Sequence, residues 1–128
     1  HGPYGSFIIP PEKVGNCSFT FICTGTGIAP FHSFIRSYPY LDYQIIAGIR
    51  QLSERHDHED YDSGRITFTV SREPWDGFNG RVTTYLENMS IDPTSYCYLC
   101  GNQSMIHAVY ELLRRTVSGD HIFTEAFF

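Results

Sequence analysis

Lysine is almost missing from this chain: Lys13 stands alone beside eight arginines, and these nine cations face fourteen acidic residues for a formal charge of −5. Nonspecific binding to a phosphate backbone needs a cationic excess, so a general affinity for nucleic acid is disfavoured. Long apolar runs are missing too. The longest stretch without Asp, Glu, Lys or Arg runs from Val14 to Ile35, but Asn16, Ser18, Pro30 and His32 interrupt it. A membrane span needs about 20 predominantly apolar residues. Hydrophobic residues at 41% and charged residues at 18% are ordinary for a globular domain and argue against disorder. The 128 residues suffice for one domain of usual size. The chain opens on His1-Gly2-Pro3-Tyr4-Gly5 rather than on Met, and the expectation is a piece of a longer polypeptide.

Cysteine is sparse as well, with Cys17, Cys23, Cys97 and Cys100. Cys97-Tyr-Leu-Cys100 has the gap of a zinc knuckle or a redox dithiol. It falls in a segment that reads as a buried strand, where residues three apart point to opposite faces and cannot share a metal. The expectation is therefore reduced thiols in a cytoplasmic protein and no metal site. A thiol–disulfide module would instead require the two sulfurs to adjoin. His56-Asp57-His58-Glu59-Asp60 does not make a metal site either, because histidines two apart do not share a helix face. It reads as a solvated loop.

What the chain does contain is a series of short apolar, β-branched or aromatic runs bounded by turn residues: 18–23, 43–49, 65–71, 96–100 and 121–124. Between the first two, apolar positions 28, 31, 34, 35 and 38 recur at helical spacing, with Pro30 in the tolerated first turn. A second helix is expected over 103–117, with Met105, Ile106, Val109, Leu112 and Leu113 as its stripe, Arg114 and Arg115 in its last turn and Gly119 as its stop. A shorter one is expected over 82–89, while 51–63 is too polar and acidic for an assignment. Strands alternating with helices imply parallel β-α-β units and a doubly wound α/β sandwich of three layers. The expected sheet has five parallel strands in the order 3-2-1-4-5.

In such sheets ligands bind beyond the carboxyl ends of the strands, where strand order reverses. The first strand is followed there by Thr24-Gly25-Thr26-Gly27-Ile28-Ala29-Pro30, a turn whose glycines leave the backbone open and whose helix-start amides can meet a pyrophosphate. The fourth is followed by Cys100-Gly101-Asn102, and in this strand order it neighbours the first. The pattern departs from Gly-x-Gly-x-x-Gly, since Pro30 holds the third glycine position and the second strand ends in Gly48-Ile49-Arg50 rather than an acidic residue. The common dehydrogenase version of this Rossmann-like fold is thus disfavoured.

Together these segments resemble the pyridine-nucleotide half of the ferredoxin-NADP reductase family, whose members pair it with an N-terminal flavin-binding barrel. The resemblance rests on Gly2-Pro3-Tyr4-Gly5-Ser6-Phe7, Thr24 to Pro30, Gly48-Ile49-Arg50, Ser71-Arg72-Glu73, Gly80-Arg81-Val82, Cys100-Gly101-Asn102 with Met105, and Glu125-Ala126-Phe127, all in family order. It implies that residues 1–128 form an NAD(P)-binding domain, with 1–12 as the junction to an FAD-binding domain of the same polypeptide. Thr24, Gly25, Thr26, Gly27 and Gly101 would then cradle the pyrophosphate and the nicotinamide side of the cofactor. Ser71, Arg72 and Arg81, with Arg50 as a further candidate, would hold the 2′-phosphate of NADP, for which guanidinium forks are suited. NAD is the alternative, because Trp75-Asp-Gly-Phe-Asn-Gly80 resembles NADH-using relatives. Cys100 matches the cysteine beside the nicotinamide, Glu125 a carboxylate near flavin and nicotinamide, and Phe127 an aromatic that stacks on the flavin. The implied activity is hydride transfer between NAD(P)H and FAD, with electrons passed on to a protein or small acceptor. A nucleotide-binding or sensing module without catalysis is the competing class. The Cys-x4-Cys-x2-Cys pattern of a plant-type iron–sulfur centre is absent.

Overall fold

Six parallel strands form one sheet in the computed structural model, which describes residues 7–55 and 58–126. They are β1 (Ser18–Thr24), β2 (Asp42–Ile49), β3 (Ile66–Val70), β4 (Phe78–Asn79), β5 (Tyr96–Gly101) and β6 (Ile122–Ala126), in the order β4-β3-β2-β1-β5-β6. The helices are α1 (Ala29–Ser37), α2 (Val82–Glu87) and α3 (Gln103–Leu113). The five expected strands thus take the expected order, and the correction is a sixth, β4, at the edge.

The period of two along each strand divides the core into two layers. Phe19, Phe21 and Cys23 of β1 join Ile45, Ala47 and Ile49 of β2, Phe68 and Val70 of β3, and Tyr98 and Cys100 of β5 on the side covered by α1. Ile22, Ile46, Cys97 and Leu99 face the other way, toward Val82 and Leu86 of α2 and Ile106, Val109 and Leu113 of α3. The first layer is aromatic: Phe21 stacks on Phe31 of α1 with ring centroids 4.7 Å apart and planes 9° apart. Its strands carry apolar side chains on both faces, the pattern of parallel strands covered by helices on each side.

β4 was illegible for a physical reason. Its two residues are too few to show alternation, and a self-packed loop sets it in place. Trp75 Nε1 donates to the Phe78 carbonyl (2.8 Å). A Cβ on Gly77 would collide with the Trp75 ring, so only glycine lets the loop fold back on its own indole. Asn79 Nδ2 donates to the Glu73 carbonyl (2.8 Å) and the Gly80 amide to the Val70 carbonyl (2.9 Å). The stretch 51–63 contains only single 3-10 turns at Leu52–Glu54 and His58–Asp60 among its described residues. Helix α3 stops four residues short of the expected Val117. The chain tightens there, the Thr116 and Val117 amides both donating to the Leu113 carbonyl, and Val117 tucks into the core. Among the described residues no helix is long and apolar enough to cross a membrane.

Candidate functional site

The chain leaves β1 over one face of the sheet and β5 over the other, so a crevice opens at the carboxyl edge between these neighbouring strands. Its first wall is the 3-10 turn Gly25–Ile28, which carries Thr26 and the buried Gly27. Gly25 has φ +55, and a Cβ there would meet nothing within 4 Å. Glycine is required by the backbone conformation, and the space around it is open to an approaching group. No side chain caps α1, which follows the turn directly, and Pro30 in its first turn brings no N–H of its own. By contrast α3, at the second wall, is closed by Asn102, whose Oδ1 accepts from the Met105 amide (2.9 Å). Neither α1 nor α2 starts with a side-chain cap, and of the two it is α1 that starts at this crevice.

Gly101 holds the second wall close to the first. A Cβ at this residue would lie 2.5 Å from Thr24 Oγ1 and 2.6 Å from Met105 Cε. Gly48 has a comparable role one strand away, where a Cβ would lie 2.5 Å from Val82 Cγ2. The missing side chain therefore seats the start of α2, and Arg81 just before it, against the end of β2. Sequence reasoning noted Gly48 without assigning this packing; an isolated glycine within a strand was the available signal.

Cys23, Cys100 and Glu125 are register partners on β1, β5 and β6 and so share a face at the carboxyl edge. Both thiols are buried. Burial, with a smaller contribution from the Glu125 carboxylate, pushes the Cys100 thiol up to about 12, and burial raises Cys23 further still. Cys97 lies in the opposite layer with Leu99, pushed up to about 11 by burial. The Cys97 and Cys100 side chains are therefore separated by the sheet itself, which removes the thiol–disulfide reading.

The arginine group lies farther along the same edge. The β2–β3 ladder continues beyond both strands, with the Ser71 amide donating to the Ile49 carbonyl (3.1 Å) and the Arg72 amide to the Arg50 carbonyl (3.0 Å). Arg50 and Arg72 therefore emerge side by side, both exposed. Arg50 is engaged: its amide donates to Glu54 Oε1 (3.0 Å), and its Nε is 3.4 Å from Glu54 Oε2. Glu73 is also engaged, accepting from the Leu52 amide (2.8 Å). Arg72 and Arg81 have no ion-pair partner among the described residues. Two strand spacings, about 10 Å, separate β1 from β3.

The structure thus brings Thr24, Gly25, Thr26, Gly27, Cys100, Gly101 and Glu125 to one crevice, and sets Arg50, Ser71, Arg72 and Arg81 beside it as a second group. Phe127, His56 and Asp57 lie outside the described residues. Among the described residues no group of three or more His, Cys, Asp or Glu is placed to hold a metal ion. A hollow of about 520 Å³ opens at the opposite, amino-terminal edge, lined by Ser18, Asp42, Gln44 and Arg65 among others, away from both groups.

No protein-family model matches the chain. Curated relatives do. The ferredoxin–NADP reductase of the Cyanophora paradoxa cyanelle is 25% identical over 138 aligned positions, covering 88% of this chain and 38% of the relative. That of Synechocystis sp. is 29% identical over 131 positions, covering 81% and 31%. Over this region the chain is similar to the ferredoxin–NADP reductases. It spans between 31% and 38% of the length of these two. The fold is also that of a cytochrome P450 reductase from Amycolatopsis, with a TM-score of 0.80 and 23% identity over 98% of this chain and 42% of that one.

The buried cysteines give the chain a testable chemical property. A thiol becomes reactive as thiolate, and burial disfavours the charged form. Native protein treated with a bulky thiol reagent at pH 8 is expected to lose Cys17, the half-buried one, and to release Cys23, Cys97 and Cys100 only on unfolding. Mass mapping of the labelled peptides checks this, and fast labelling of Cys100 would show that its thiol is accessible and ionised.

Proposed function

We propose that this chain is the pyridine-nucleotide-binding part of a flavoprotein reductase, transferring hydride between NAD(P)H and FAD and passing electrons to a protein or small acceptor. The observation that carries the reading is the convergence, at one crevice, of an open glycine turn with the Cys100–Glu125 row. The donor set fits a dinucleotide. The turn and the uncapped start of α1 offer amides and a helix dipole to a pyrophosphate, and Thr24 adds a small hydroxyl. Arg72 and Arg81 are guanidinium forks without a counter-ion among the described residues, suited to a phosphate dianion two strands away. NADP is therefore favoured over NAD, with Ser71 assisting and Arg50 held back by Glu54.

Nicotinamide and flavin supply the redox chemistry when bound, and the protein supplies position and electrostatics. Cys100 presents a compact, neutral sulfur at the strand end, able to bound a nicotinamide ring without attacking it. Glu125 brings a carboxylate to the same face, and Phe127 follows it as the aromatic assigned to the flavin. The flavin itself is assigned to an FAD-binding domain of the same polypeptide, joined through residues 1–12. Four free thiols suit a reducing compartment such as the cytoplasm.

The test is anaerobic mixing of the full-length protein with NADPH and, separately, with NADH, following flavin absorbance. Bleaching is expected with both and at lower concentration with NADPH. Flavin that neither nucleotide bleaches would overturn the reading.

A further inference from the structure

Tyr98 is fully buried in β5, two residues before Cys100. Its ring meets Phe7, Phe21 and Phe34 edge-on at 5.3, 5.8 and 5.7 Å and stacks on Phe123 of β6 at 4.9 Å. A phenol placed so deep needs a partner for its hydroxyl. That partner is distant in sequence: Tyr98 Oη donates to the Ile8 carbonyl at 2.6 Å, across 90 positions of the chain. The residues around Ile8 are held as well. Phe7 packs on Phe31 and Phe34 of α1 at 6.0 and 5.9 Å, and Ile9 is buried in the core. Ile8 itself is 55% exposed, so what ties it down is its backbone. No strand or helix includes residues 7–9, and the Tyr98 hydroxyl replaces the ladder that would otherwise fix their course.

We infer that Tyr98 is a positioning residue, fastening the segment that arrives from the flavin-binding part to the strand that presents Cys100. The inference rests on the proposed reductase reading and adds a specific geometric device to it. If the flavin is carried upstream of residue 7, its placement relative to the crevice depends on where residues 7–9 are anchored. Cys100 and Glu125 lie on the same face of β5 and β6 as Tyr98, so one hydrogen bond refers both partners of the hydride transfer to a single strand. Hydride transfer is steeply sensitive to such placement, whereas nucleotide binding at the turn after β1 is not.

Tyr98→Phe in the full-length, flavin-loaded protein is the test, since it keeps the ring and removes only the hydroxyl. The rate constant for flavin reduction at saturating NADPH is expected to fall roughly tenfold, while the nucleotide dissociation constant stays within about twofold. Independently of activity, cleavage by chymotrypsin after Phe7 is expected to speed about fivefold, as one net hydrogen bond is lost from the segment. An unchanged rate constant in Tyr98→Phe, with the wild type reduced normally, overturns this inference alone. Cleavage that speeds equally throughout the chain also overturns it, because that marks general destabilisation. Wild-type flavin that neither nucleotide reduces overturns the reductase reading and this inference with it.

Discussion

Replacing Arg72 and Arg81 together with alanine in the full-length protein is expected to weaken NADPH by at least two orders of magnitude and to leave NADH nearly unchanged. Each guanidinium would lose a charge-assisted contact of about 1.5–3 kcal/mol with the 2′-phosphate, roughly ten- to a hundredfold apiece. The effect is confined to one nucleotide because both side chains are free of ion pairs among the described residues and lie away from the β1 turn. Neither replacement leaves a buried carboxylate without its counter-ion, so stability should hold. Fluorescence titration with both nucleotides measures the difference. Equal losses for NADPH and NADH would mean that these arginines do not read the 2′-phosphate.

Gly25→Val makes the complementary case, with loss of both nucleotides and no change in their ratio. The branch point of the new side chain has room, since a Cβ at this position has nothing within 4 Å. Its stability cost is therefore conformational: a β-branched residue held at φ +55 loses about 1–2 kcal/mol. The larger effect is on the space outside. The isopropyl group would stand where a phosphate must approach the turn amides, and losing even one or two such bonds costs roughly a hundredfold in affinity. Thermal unfolding separates the two costs from each other, and titration with NADPH and NADH measures the second. A variant that melts earlier yet binds both nucleotides as before would show that Gly25 serves the turn alone.

Much of this architecture was legible in the sequence because the strands are buried on both faces. Phe21, Ile22 and Cys23 are consecutive apolar residues that feed opposite layers, a pattern that parallel sheets impose. The stripe 105, 106, 109, 112 and 113, with Gly119 as its stop, announced α3, and glycines directly after two strands announced the crevice. What escaped was decided by tertiary contact. β4 exists because Trp75 folds onto Gly77 and Gly80 bonds Val70, interactions with no periodicity. Among the arginines named for the 2′-phosphate, Arg50, the further candidate, is set apart by Glu54 four residues on, within a loop whose conformation could not be foreseen. The Tyr98–Ile8 hydrogen bond spans most of the chain, and no local pattern encodes it.

The brevity of β4 bears on how the molecule meets its neighbours. An edge strand offers a row of unpaired amides and carbonyls on which another chain can grow, and short edges are one of the ways proteins suppress this. Here β4 pairs only with Thr69 and Val70, so the margin is stepped: three residues of β3, Ile66 to Phe68, and then two of β4. Neither step is long enough to template a strand. The opposite margin, β6, is continuous over five residues. The sheet is thus blunted on the side that carries the arginines and open on the side that carries Glu125, and any strand added by another molecule, or by another part of the same polypeptide, would add beside Glu125.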